Sequence, residues 1–181
     1  MNPVWHIRTG RLLLSPVGWQ DLPDLRALKA DPATYGRMLG GLCGPAQVAD
    51  ELAADASYWA SHGVGMWMVR PLGDGPALGI TGIHDRPDGR SPALRFAFTP
   101  ASRGHGLGRE AAGAALRFAH NTGLARILAV ARDDNLASRT VLGAIGMRPC
   151  EAFLRDGAPV TVYESVIKPQ VIKPWSAPAS R

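Results

Sequence analysis

The stretch RGHGLG, from Arg103 to Gly108, constrains this chain more than any other. Three glycines, Gly104, Gly106 and Gly108, stand at alternate positions directly ahead of an alanine-rich run that reads as a helix, roughly Leu107 to Thr122. A helix start leaves backbone N–H groups without partners and carries partial positive charge. Glycines remove the side chains that would block a ligand, so a phosphate reaches the bare amides. Arg103, just before the turn, offers a cation for the same phosphates.

Two common phosphate motifs do not fit. A P-loop needs GxxxxGK followed by Ser or Thr, and the chain has no such run. A GxGxxG fingerprint begun at Gly104 or Gly106 would put its third glycine on Arg109 or Ala111. The glycine turn also follows three short β-type runs, GMWMVRPLG, PALGITGIHD and SPALRFAFTP, that read as an antiparallel meander. A dinucleotide turn belongs after the first strand of a parallel unit instead.

The elements around the turn set the fold class. RLLLS near Arg11 is a strand stopped by Pro16. Leu22, Leu25 and Leu28 mark a helix with Pro23 in its first turn, ending near Ala30. DPATYGRMLGGLCG is a loop with a short helical piece, and Val48, Leu52, Ala56 and Trp59 mark a helix from Pro45 to Gly63. After the glycine turn and its helix come a buried strand, Ala125 to Arg132, and a helix from Asn135 to the stop at Gly146. Two further strands flank RDGAP as a hairpin. This order predicts a single α/β domain over residues 1–166, with a mixed sheet of about seven strands, antiparallel in the N-terminal half, and about four helices. Residues 167–181 form a proline-rich tail that carries Val171, Ile172 and Trp175. The open edge of the terminal hairpin and this apolar tail suggest a homodimer in which the tail packs across a neighbour or its own sheet edge.

Charge narrows the partners. The formal net charge is +5, and Lys29, Lys168 and Lys173 are the only lysines, so nearly all the positive charge is arginine. That balance suits an anionic ligand, a nucleic acid, or a merely solvated surface. No window approaches the 18 or so apolar residues of a membrane span, and no signal segment opens the chain. Cys43 and Cys150 have no metal-ligand spacing. The expectation is a reduced cytoplasmic protein with no bound metal.

RGHGLG resembles the cofactor motif of the GNAT superfamily of acetyl-CoA-dependent N-acetyltransferases, Arg/Gln-x-x-Gly-x-Gly/Ala. FAFTPASRGHGLG looks like that family's fourth strand leading into the motif. DDNLASRTVLGAIGM looks like its later Asn-x-x-Ser/Ala segment with a helix ending in Leu/Ile-Gly-Phe/Met. The resemblance covers residues 11–166, with the flavour of the ribosomal-protein N-terminal acetyltransferase group. It implies that backbone N–H groups of Arg103, Gly104, His105, Gly106, Leu107, Gly108 and Arg109 hold the pyrophosphate of acetyl-CoA. It implies that the pantetheine arm pairs with Phe98 and Thr99, where the fourth and fifth strands splay apart. Asn135 would contact the pantetheine or fix the local backbone, and the Ser138 hydroxyl would bond the sulfur as CoA leaves. The implied reaction is acetyl transfer to a primary amine, a protein N-terminus or a small molecule, by direct attack in a ternary complex.

The chain departs from the family pattern twice. Leu142 stands where many members have a Tyr general acid, and Ala93 to Phe96 contain no counterpart of a common strand Glu. Ser138 is therefore the candidate donor, and His84, near the end of the preceding strand, the candidate base or water-relay residue. Met66, Trp59 and Trp67 either line the acceptor pocket or belong to the core. Two alternatives stay open: a CoA-binding protein that has lost catalysis, and a basic nucleic-acid-binding domain. The second lacks zinc spacing, RNP-type aromatics and a recognition helix, and leaves the glycine turn unexplained.

Overall fold

Alternation along buried strands builds the molecule. The computed structural model describes residues 3–86 and 88–167. Its one sheet holds β1 (Ile7–Arg8), β2 (Leu12–Pro16), β3 (Met66–Pro71), β4 (Gly79–His84), β5 (Ala93–Phe98), β6 (Arg126–Arg132), β7 (Arg148–Arg155) and β8 (Ala158–Val166). In β3, Trp67 and Val69 join one core cluster while Met66 and Met68 join a second. Successive side chains point to opposite faces, so both faces of the sheet must be covered.

The helices do this. They are α1 (Leu22–Ala30), α2 (Pro32–Tyr35), α3 (Pro45–His62), α4 (Leu107–Asn121) and α5 (Leu136–Ala144). The alanines of α4, Ala111, Ala112, Ala114, Ala115 and Ala119, lie in the first cluster with Ile127 and Ala129. Leu25 and Leu28 of α1 and Val48 and Leu52 of α3 lie in the second. The last turn of α3 delivers Trp59 to the first cluster, where it stacks edge-on against Trp67 with centroids 4.7 Å apart. Met66, Trp59 and Trp67 are all core residues, at 1%, 3% and 0% exposure, so the sequence alternative that placed them in an acceptor pocket gives way to packing.

The strand order is β1-β2-β3-β4-β5-β6-β8-β7, antiparallel throughout except for β5 and β6, which run parallel. The α/β class and mixed sheet are as expected, with eight strands and five helices, four of them substantial, among the described residues. The additional strand, β1, is two residues pairing with Leu13 and Leu14, too short to leave a hydrophobic period. The final hairpin turns at Asp156 and Gly157, both at positive φ, and leaves β7 as the sheet edge with β8 inside it. The tail expectation falls on residues 168–181, which lie outside the described residues.

Candidate active site

The glycine turn adopts a conformation that only glycine takes easily. Gly104 has φ 81° and Gly106, the N-cap of α4, has φ 73°. No side chain caps α4. Ser102 and Arg103 donate their backbone N–H groups to the Thr99 and Pro100 carbonyls, so the Arg103 amide, expected in the cradle, is used inside the turn, and helical bonding resumes with Glu110 N–H to the Gly106 carbonyl at 3.1 Å. Between them, among the described residues, no acceptor is found for the N–H groups of 104–109. A run of unpaired amides at the positive end of a fifteen-residue helix fits a phosphate group.

The start of the turn is locked from inside. The buried Ser102 hydroxyl shares its one proton between the Thr99 carbonyl at 2.8 Å and the Leu78 carbonyl at 3.1 Å. Its centre is held by Arg11 of the β1–β2 turn, whose Nη1 donates to the His105 carbonyl at 2.9 Å. The Arg103 guanidinium donates to the Ala33 carbonyl of α2 and, at 3.4 Å, to the Phe98 carbonyl. It therefore ties the turn to α2 as well as sitting next to the amides.

Beside the turn the sheet opens. Parallel pairing of β5 with β6 is confined to Ala93 with Leu128, supported by the Leu128 N–H bond to the Pro92 carbonyl at 3.0 Å. Beyond that point the strands part, and a cavity of about 510 Å³ opens between them, the α2–α3 loop and β7. His84, Asn135 and Ser138 all line it. Residues far apart in sequence thus line one cavity.

Each has a defined state. The Asn135 side chain caps α5, accepting from Ser138 N–H at 3.2 Å, and the residue lines the cavity. The Ser138 hydroxyl makes no hydrogen bond among the described residues and is half-buried at the cavity wall. His84 Nδ1 lies 2.8 Å from the Asp85 carbonyl. A carbonyl only accepts, so Nδ1 carries the proton and Nε2 keeps its lone pair. Burial, then the positive charges of Arg95 and Arg86, depress the His84 pKa to about 4. The imidazole is therefore neutral at physiological pH.

Leu142 is buried at 1% exposure and forms apolar cavity wall, so the position of the usual Tyr acid is occupied by a group that cannot donate. Sequence reasoning missed Tyr35, Glu51 and a set of cavity arginines. The Tyr35 hydroxyl is buried without a partner among the described residues and burial raises its pKa well above the ordinary value, so it stays a proton donor. Glu51 lines the cavity and pairs with the buried Lys29 at 2.6 Å. No motif marks these residues. They come from α2, α3 and loops whose approach to the β5–β6 gap is set by packing. Among the described residues, no group of His, Cys, Asp and Glu is placed to hold a metal ion.

Comparison with known proteins agrees with this geometry. The family model of the acetyltransferase (GNAT) domain matches residues 11–148. Among solved structures, an acetyltransferase from Agrobacterium tumefaciens str. C58 is 26% identical, with 88% of this chain and 93% of that one covered and a TM-score of 0.77. RimL, the ribosomal L7/L12 α-N-protein acetyltransferase solved with coenzyme A, is 14% identical over 90% of this chain and 98% of its own, with a TM-score of 0.74. An acetyltransferase from Salmonella typhimurium that modifies the N-terminal serine of ribosomal protein L7/L12 is 15% identical over 88% and 97%, with a TM-score of 0.73. No curated protein matches the chain significantly.

Proposed function

The chain belongs to the GNAT acetyltransferase family, and we propose that it transfers the acetyl group of acetyl-CoA to a primary amine, on a small molecule or a protein N-terminus, by direct attack in a ternary complex. The observation that carries this reading is the run of unpaired amides over 104–109 standing beside the β5–β6 gap. Acetyl-CoA supplies an activated acyl carbon: the amine nitrogen bonds to it, the carbon–sulfur bond breaks, and the thiolate takes up a proton.

The chain's own residues then have limited tasks. The amides over 104–109 and Arg103 bind phosphate oxygens, and the Phe98 and Thr99 backbone guides the linear arm into the gap. Asn135 fixes the turn that presents Ser138. The free Ser138 hydroxyl donates toward the leaving sulfur. His84, neutral with Nε2 open, accepts a hydrogen bond from the amine or from a water that carries its proton away. With a pKa near 4 it is a poor proton store, so it orients and relays, and alignment supplies much of the rate. The same reading includes a cytoplasmic location and a homodimer. The dimer is supported by β7, an eight-residue edge strand exposed along most of its length, and light scattering that gives a monomer mass removes it.

The test couples two measurements. Calorimetry should show acetyl-CoA binding, and a free-thiol assay should show CoA release that depends on an added amine. Binding without amine-dependent release would leave a CoA-binding protein and remove the transferase.

A further inference from the structure

Five arginines, Arg37, Arg86, Arg95, Arg132 and Arg155, line the cavity between β5 and β6. Among the described residues the lining holds two carboxylates, Glu51 and Asp88, and both are already engaged, Glu51 lying also 3.9 Å from Arg95 Nη1. Glu51 is held by Lys29 at 2.6 Å, and Asp88 accepts from Arg86 Nε at 2.9 Å and Arg90 Nε at 3.0 Å. Two of the lining arginines carry buried donors with no acceptor among the described residues, Nη1 of Arg86 and Nε of Arg132. The Arg86 side chain is only 10% exposed. A buried donor left unpaired is costly, so these two donors call for an acceptor, which an anion held in the cavity supplies.

That anion is not the cofactor's pyrophosphate. None of the residues 103–109 lines the cavity. Strand alternation also separates the two places. Leu94, Phe96 and Phe98 of β5 and Ile127, Ala129 and Ala131 of β6 pack with the core cluster under α4. Arg95 and Arg132 therefore leave the opposite face, the face covered by α1 and α3. The cationic wall thus lies on the side of the sheet away from α4, beside His84, whose pKa is depressed by burial first and then by the charges of Arg95 and Arg86. Its volume of about 510 Å³ is that of a small-molecule site.

We propose that the acceptor is a small amine that also carries an anionic group, a carboxylate or a phosphate, and that Arg86, Arg95 and Arg132 bind this group while the amine faces His84 and Ser138. The inference rests on the acetyl-transfer reading and names the substrate class for it. Arginine is suited to the task because its planar fork matches the oxygens of either anion.

Matched acceptor pairs test it. β-Alanine is compared with propylamine, and O-phosphoethanolamine with ethanolamine, at fixed acetyl-CoA, by release of free CoA. One pair reports on carboxylate and the other on phosphate. Within at least one pair the anionic member should show kcat/KM about tenfold to a hundredfold higher, the scale of one or two charged hydrogen bonds. In Arg86→Gln and in Arg132→Gln that ratio should fall to near one. Equal rates within both pairs, a preference for the neutral members, or a ratio untouched by both variants would overturn the proposal. If acetyl-CoA binds and no amine is consumed, the transfer reading has failed, and the anion site is read separately by calorimetry on the CoA-loaded protein. Binding of O-phosphoethanolamine or β-alanine, absent for their neutral partners and lost in Arg86→Gln, supports the site. No such difference overturns it.

Discussion

Arg11 holds Glu110 through two donors, Nε at 2.7 Å and Nη2 at 2.6 Å from Oε2, while its Nη1 reaches the His105 carbonyl at 2.9 Å. The carboxylate is fixed further by Thr9 Oγ1 at 2.6 Å and Arg11 N–H at 3.0 Å on Oε1. These contacts keep the Glu110 pKa below its ordinary value against the opposing effect of burial. One residue of the β1–β2 turn thus shapes both the first turn of α4 and the glycine loop ahead of it.

The pair makes a first prediction. Arg11→Gln should loosen the cradle and weaken acetyl-CoA binding by about threefold to tenfold, a modest loss because Arg11 is half exposed and screened by water. Calorimetry checks it, with the melting temperature showing that the fold survives. Unchanged affinity would mean that the loop holds its shape through Ser102 and the glycines alone.

Gly106→Glu should be far more damaging. It forces a side chain onto φ 73°, at a cost of roughly 1–2 kcal/mol, and places a carboxylate where phosphate oxygens would meet the amides. Acetyl-CoA affinity should drop about a hundredfold or more, on the scale of losing charge-assisted hydrogen bonds. A folded Gly106→Glu protein that binds acetyl-CoA like the wild type would remove the cradle assignment.

Ser138→Ala should lower kcat by about tenfold to a hundredfold while leaving acetyl-CoA affinity nearly unchanged, because protonation of the leaving thiolate matters in the transition state. Asn135→Ala, which removes the cap on Ser138 N–H, should cost about 1 kcal/mol of stability and part of the rate. Steady-state kinetics beside thermal melts separates the two effects. If Ser138→Ala turns over like the wild type, the donor is another group, with the Tyr35 hydroxyl next to be tested.

His84 should titrate near pH 4 rather than near 6.5. An NMR titration of its ring reads this directly, and Arg95→Gln should move the midpoint upward. Arg95 is the larger of the two charges that depress it. A midpoint near 6.5 in the wild type would contradict the buried, cation-flanked environment.

Asp55 provides an opposing slope. Burial raises its carboxyl from 3.8 to about 6, with Glu51 adding repulsion and Lys29 and Arg95 partly offsetting it. The folded state holds this proton more tightly than the unfolded chain, so the associated stability is present below pH 3.8 and lost as pH rises through 6. For His84 the sign reverses: the unfolded chain takes the proton first, so stability is present above pH 6.5 and lost as pH falls toward 4. Asp55→Asn should therefore raise the melting temperature at pH 7, by about 1–2 kcal/mol equivalent after allowance for partial exposure, and give no gain at pH 4. Melts of the variant and wild type across that range settle the direction.

The sequence by itself determined what is local. The glycine turn, its positive φ values and the bare N-terminus of α4 follow from residues 103–108, because the conformation each glycine permits is intrinsic to it. The Asn135 cap with Ser138 N–H three residues on was legible for the same reason, as was the order of strands and helices from hydrophobic period. Only the tertiary structure decided what depends on faces meeting. Arg95 and Arg132 read in the sequence as ordinary charges on two strands. Arg86 and Arg155 read as loop and hairpin charges. Which of them share a wall depends on where β5 and β6 stop pairing, on the parity of each residue across the sheet, and on the docking of α2 and α3. The same holds for Arg11 and Glu110, separated by 99 positions. Their contact is created by β2 lying near the start of α4, a relationship set by packing of the shared core and carried by no short-range pattern in the chain.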